Sequence, residues 1–163
     1  MNMLKNVKDI GIVCIDNTKL SPVAAVLLRN FVIKSKNPNI RNIQVYDAGY
    51  ERGEKIADSA RGFLQKRGFG TTFMLETTRI DKKWVKSRDL ILTMDKFLKR
   101  DIIYDFPMND QDLKLKVFTL NEISGINERI RDPGEDYGVD LDPIFELIEK
   151  CCKKIIEKLE KAN

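Results

Sequence analysis

Hydrophobic period along this chain switches back and forth between that of a buried strand and that of an amphipathic helix. Ile10-Gly11-Ile12-Val13-Cys14 is a near-continuous apolar run, the mark of a strand covered on both faces. Ser21-Pro22 follows as a helix start, with serine as N-cap and proline preset for the first helical position. The helix carries Val23, Val26, Leu27, Phe31 and Val32 and fades near Lys36-Asn37-Pro38. A second strand spans Ile43 to Tyr46, ending at Asp47-Ala48-Gly49. A second helix runs from about Glu54 to Arg67, with Gly68 as its stop. Asp81 reads as the N-cap of a short helix holding Trp84 and Val85. The third strand is Leu90 to Met94, followed by a helix with Phe97, Leu98 and Ile102. The fourth is Leu115 to Leu120, and a long loop then extends to about residue 140. The last helix starts near Asp142-Pro143. Its stripe of Ile144, Leu147, Ile148, Cys151, Cys152, Ile155, Ile156 and Leu159 keeps helical spacing throughout.

Strands alternating with helices predict an α/β fold: one domain over residues 1–163, with a four-stranded parallel sheet and helices on both faces. The 163 residues suffice for one core and are too few for two ordinary domains. Ligands of such sheets bind beyond the carboxyl ends of the strands, at the topological switch point. Cys14 sits at such an end, and the loop after it feeds a helix N-terminus.

Composition removes several classes of function. The chain has no histidine, which excludes Ser-His and Cys-His catalysis and every histidine metal site. Three cysteines, two of them adjacent, argue against a disulfide framework and for a reducing, cytoplasmic setting. No apolar run reaches the roughly 18 residues of a membrane span, and the N-terminus has no signal-peptide core. The net charge of +4 comes from cations scattered among 25 acidic residues, without the clustering of a nucleic-acid binder.

The segment Cys14-Ile15-Asp16-Asn17-Thr18-Lys19-Leu20-Ser21-Pro22 aims backbone N–H groups and the positive end of a helix at one place. There a thiolate would be stabilised and could act as a nucleophile. The plainer reading of Cys14 is a small core residue that ends a strand. Further on stand Asp47-Ala48-Gly49, Asp89-Leu90-Ile91-Leu92-Thr93-Met94-Asp95 and the late pair Asp132-Pro133.

Taken in this order, the loop and these motifs resemble the low-molecular-weight protein tyrosine phosphatases, from about Asp9 to Leu159. The resemblance implies that family's fold. It also implies hydrolysis of phosphate monoesters through a phosphocysteine on Cys14, with Asp132 as the proton donor and no cofactor or metal. Residues Ile15, Asp16, Asn17, Thr18, Lys19, Leu20 and Ser21 would form the phosphate-binding loop, and Tyr50 would be one wall of the cleft. Tyr46 and Trp84 are further aromatic candidates for that wall, Trp84, on an amphipathic helix, being more readily a core residue. Glu135, Asp136 and Asp140 are carboxylates near the proposed acid. The partner implied is a phosphate or phosphotyrosine-type substrate, such as a phosphoprotein, bound by a monomer or weak homodimer and involving neither membrane nor nucleic acid.

Two positions depart from the family's loop. Leu20 stands where the family has its arginine, and Asp16 where glycine is usual. An aliphatic side chain offers no bidentate clamp for phosphoryl oxygens, and a carboxylate pointing inward would repel a dianion. Lys19 supplies at most a point charge. Two readings follow: an enzyme weakened by the missing arginine, or a non-catalytic descendant that binds phosphate or a partner. The thioredoxin-coupled arsenate reductases share this fold and loop. Their chemistry needs further cysteines on a mobile mid-chain segment, whereas Cys151 and Cys152 lie on the last helix.

Overall fold

Four short strands, Asp9–Cys14 and Leu90–Thr93 among them almost wholly apolar and buried, build the centre of the molecule. The computed structural model describes residues 2–163 other than 73, 75, 107–109 and 135–137. In chain order its elements are β1 (Asp9–Cys14), α1 (Leu20–Lys34), α2 (Pro38–Arg41), β2 (Gln44–Gly49), α3 (Asp58–Lys66), α4 (Lys82–Lys86) and β3 (Leu90–Thr93). They continue as α5 (Lys96–Asp105), α6 (Asp110–Lys114), β4 (Val117–Thr119), α7 (Leu120–Ser124) and α8 (Asp142–Ala162).

The strands form one all-parallel sheet in the order β2-β1-β3-β4. From β1 the chain steps outward to β2 and then crosses back to β3 on the other side of β1. This reversal opens a crevice at the carboxyl ends of β1 and β3. Register lines those ends up, with Cys14 opposite Gly49, Val13 opposite Thr93, and Thr93 opposite Thr119.

Alternation within the strands feeds two cores. Ile10, Ile12, Cys14, Leu90 and Leu92 face one side and pack with α1, α3, α7 and α8. Val13, Ala48, Ile91 and Val117 face the other and pack with Val85, Leu98, Ile102 and Leu113. The stripe on α8 is the largest helical contribution. Leu147, Ile148, Ile155, Ile156 and Leu159 are buried there, each worth about 1.5–3 kcal/mol in gross burial. Cys151 and Cys152 lie on that stripe, both fully buried and free. No helix among the described residues is long and apolar enough to cross a membrane.

Several expected boundaries move. The second helix begins at Asp58, so Ile56 is buried ahead of it rather than within it. β4 is confined to three residues, and Leu115, expected inside it, is largely exposed. The loop expected from residue 121 opens instead with α7. A capping box nucleates this helix: Thr119 accepts from the Glu122 N–H, and the Glu122 carboxylate accepts from the Thr119 N–H. On α5, Leu98 and Ile102 are buried while Phe97 is exposed.

Candidate active site

The loop between β1 and α1 is held from below by side chains and from beside by backbone. The Cys14 Sγ lies 3.0 Å from the Ser21 Oγ. The Asn17 amide donates to the same Oγ at 2.8 Å and to the Asp47 carboxylate at 2.7 Å, and its carbonyl oxygen accepts from the Thr78 N–H at 2.8 Å. Asn17 itself is in the left-handed region at φ 62, which asparagine tolerates better than most residues. Asp47 is in turn held by Arg29, which also donates twice to the Val45 carbonyl. Burial raises the pKa of Asp47, opposed by Asn17 and Arg29.

The chain after β2 follows the loop rung by rung. The Tyr50, Glu51 and Gly53 N–H groups donate to the carbonyls of Cys14, Ile15 and Asp16, and the Ala57 N–H donates to that of Thr18. This approach requires Gly49. A Cβ there would lie 2.7 Å from the Asp16 carbonyl carbon and 2.8 Å from the Asn17 nitrogen, inside van der Waals contact.

Ser21 does not cap α1. The N-cap position is Lys19, with no side-chain bond, and the helix starts one residue ahead of Ser21. The hydroxyl is instead within reach of the cysteine sulfur, Asn17 and the Ala48 carbonyl. Leu20 is fully buried and joins the core on the α1 side of the sheet. Lys19 is half-buried, its ammonium donating to the Thr18 hydroxyl at 3.3 Å. The Asp16 carboxylate turns back on its own loop, accepting from the Thr18 N–H at 3.1 Å and the Thr18 hydroxyl at 2.7 Å. One of the loop's N–H donors is therefore already taken by an internal anion. Ile15 is exposed on the loop's outer side.

Burial pushes the Cys14 thiol up to about 11, against hydrogen bonds from Ser21 and the loop backbone, and Asp132 adds to the rise. Burial outweighs those hydrogen bonds, so the thiolate stabilisation expected from the helix start does not dominate here. Asp132 lies within the field of Cys14, Asp16, Lys19 and Asp95. Its own pKa is raised, first by burial and then by Asp16 and Asp95, against the Gly134 N–H that it accepts at 2.9 Å and the Lys19 charge.

The structure thus brings Cys14, the 15–21 loop and Asp132 to one end of the sheet. Tyr50 follows Gly49 at that end, half-buried against the second core. The other two aromatic candidates go elsewhere. Tyr46 sits mid-strand, opposite Gly11, beneath the Arg88 guanidinium at 3.7 Å. Trp84 stacks beside that guanidinium and over Gly11, where a Cβ would strike its ring. Asp140 is exposed and accepts from the Asp142 N–H, while Glu135 and Asp136 lie outside the described residues. Among the described residues no three His, Cys, Asp or Glu side chains are grouped to hold a metal ion.

This geometry agrees with comparison to known proteins. The sequence model for low molecular weight phosphotyrosine protein phosphatase matches residues 9–163. The chain belongs to this phosphatase family. No curated protein sequence matches it significantly. Among solved structures it is similar to the YwlE arginine phosphatase of Geobacillus stearothermophilus, with 25% identity, TM-score 0.78 and 94% of each chain covered. A low molecular weight phosphotyrosine phosphatase of Vibrio cholerae superposes with TM-score 0.81 at 22% identity, over 94% of this chain and 97% of that one. The tyrosine phosphatase Wzb of Escherichia coli, solved with sulphate, gives TM-score 0.76 at 20% identity, over 94% and 99%.

Within this phosphatase fold, the residues that sequence reasoning passed over are the ones holding Asn17. Asp47 stood out only as part of a motif, and Arg29 and Thr78 carried no local signal at all. Their roles arise from contacts 16 to 61 residues apart in sequence.

Proposed function

We propose that this chain is a slow, cysteine-dependent hydrolase of phosphate monoesters. Cys14 is the nucleophile, Asp132 the general acid, residues Ile15 to Ser21 the phosphate cradle, and Tyr50 a wall for the leaving group. The observation that carries this reading is the buried Cys14 sulfur, 3.0 Å from the Ser21 hydroxyl at the switch point of the sheet, with the Asp132 carboxyl group within its field. In the first step the Cys14 thiolate forms a bond to phosphorus. The P–O bond breaks, and Asp132 gives its proton to the departing oxygen. In the second step water attacks the phosphocysteine, Asp132 takes the water's proton, and the thiolate leaves with phosphate released.

Slowness follows from the same geometry. With a pKa of about 11, only about one thiol in ten thousand is ionised at neutral pH. Leu20 contributes no charge to the loop, and the Asp16 anion occupies one of its donors. Those features favour the second reading, a phosphate- or partner-binding module without turnover. The family points to phosphorylated substrates. Similarity to an arginine phosphatase as well as tyrosine phosphatases makes phosphotyrosine, a monoester, the peptide substrate to test first, with phosphoarginine, a phosphoramidate cleaved at its P–N bond, as the comparison. Three free thiols and the lack of a membrane-length helix among the described residues support a cytoplasmic setting.

The test is a quenched single turnover with an aryl phosphate, followed by mass analysis of the Cys14 peptide. A phosphoryl adduct on wild type and none on Cys14→Ala supports the enzyme. Phosphate binding without adduct or turnover supports the binding module instead.

A further inference from the structure

The scattered cations of the sequence are gathered by the fold around a groove that the proposed chemistry does not use. It is an open cleft of about 1160 Å³ between α5, the end of β4, α7 and the segment carrying Asn127 and Arg129. Its apolar surface comes from Met94, Phe97, Ile103 and Tyr104, of which Phe97 is 47% and Tyr104 82% exposed. Such aromatic exposure is unusual away from binding surfaces.

Charge along the cleft is one-sided. The Glu122 carboxylate is consumed by Lys99, at 3.0 Å to each oxygen, and by the Thr119 N–H. Asp95 caps α5 through the Leu98 N–H. Lys96, Lys114 and Arg129 line the same cleft and form no ion pair among the described residues. Arg100 and Lys96 both sit over the Phe97 ring, at 5.4 and 5.6 Å, so the exposed aromatic is framed by positive charge.

The groove lies towards the same end of the sheet as the site. Met94 and Asp95 line it directly beyond β3, the strand beside β1, and Asp95 lies in the field of Asp132. We propose that this groove docks an acidic peptide segment bearing an apolar side chain, supplied by a separate protein. The apolar surface takes the side chain, and Lys96, Lys114 and Arg129 pair with its carboxylates. On the phosphatase reading that protein is the substrate, and the groove selects it by residues away from the phosphorylated one. The docking itself does not depend on that reading.

The experiment measures fluorescence anisotropy of a short, labelled, unphosphorylated peptide alternating glutamate with leucine and phenylalanine, titrated with the full chain at low salt. Binding should weaken as salt rises. Lys96→Glu, Lys114→Glu and Arg129→Glu should each weaken it roughly two- to five-fold and together at least ten-fold, given the range for exposed ion pairs. Phe97→Ser should weaken it through the apolar contact. A glutamine version of the peptide should bind at least ten-fold more weakly, and Cys14→Ser should bind as wild type does. Thermal melts confirm that each variant is folded. Because the peptide carries no phosphate, an inactive protein that still binds it leaves the docking intact and removes only the phosphatase reading. The proposal is overturned if the triple variant, folded, binds the peptide as wild type does, or if a single-stranded oligonucleotide of equal charge competes more tightly at the same residues.

Discussion

Replacing Leu20 by arginine would give the proposed phosphate loop a planar cation, and the structure sets both the loss and the gain. Leu20 is fully buried in the core as the first residue of α1. A guanidinium cannot remain there unpaired, so the new side chain must turn towards the loop and leave a leucine-sized void. Such voids cost about 2–5 kcal/mol, which in a chain of this length lowers the melting temperature by roughly 5–15 °C. In return a guanidinium roughly 4 Å from the Cys14 sulfur, at an effective dielectric of about 20, stabilises the thiolate by about 4 kcal/mol. That equals about three pKa units and moves Cys14 from about 11 towards roughly 8. The thiolate fraction at neutral pH rises on the order of a thousand-fold, the lower end of what an arginine contributes to phosphoryl transfer. The assay is the pH dependence of iodoacetamide modification at Cys14, read by peptide mass, beside turnover of p-nitrophenyl phosphate. Turnover should rise at least ten-fold and vanish again in a Leu20→Arg, Cys14→Ser double variant. Leu20→Met keeps the volume and should leave the inflection near 11. Because Asp16 can capture the new arginine as an ion pair, the Leu20→Arg, Asp16→Asn variant is measured alongside. A folded Leu20→Arg protein, with and without Asp16→Asn, whose cysteine still titrates near 11 would refute the reasoning.

Asp16→Asn keeps an oxygen to accept from Thr18 but removes the charge. A phosphate dianion held roughly 6 Å from a carboxylate in near-aqueous surroundings is repelled by about 1.4 kcal/mol, so calorimetry should find phosphate bound about ten-fold more tightly, and an unchanged affinity would mean that Asp16 points its charge away from the anion. Asp132→Asn should slow turnover of poor leaving groups more than good ones, since only the poor ones need the proton; equal losses across leaving groups would make Asp132 structural. Cys14 has a raised folded pKa, so its burial favours the protonated form: the native state loses stability as pH climbs from the ordinary 9.0 to about 11. Over that window denaturant titrations should show wild type losing about 2–3 kcal/mol that Cys14→Ala does not lose, and parallel curves would contradict the burial argument.

Local pattern determined much of this protein. Apolar runs at Ile10–Cys14 and Leu90–Thr93 are strands because only a doubly covered strand tolerates an unbroken hydrophobic sequence. The α8 stripe and the Asp81 and Asp95 caps are equally written in spacing and in short-range hydrogen bonds. The placement of Cys14 at a strand end and of a late Asp-Pro pair was legible for the same reason. The short helices α2, α6 and α7 were not: at four or five residues they carry too little period, and one is nucleated by a two-residue capping box. Nor did the sequence decide between the sulfur and the helix start as the partner of Ser21, or disclose that Asp16 folds back onto Thr18 or that Leu20 faces the core. Each depends on which way a side chain leaves the loop. That direction is set by Asn17 in its left-handed conformation and by Asp47, Thr78 and Gly49, residues brought to the loop from 30 to 61 positions away. Tertiary structure alone decided the cationic groove as well. Lys96, Lys114 and Arg129 belong to separate segments of the chain, and only the pairing of β3 with β4 gives them a common surface.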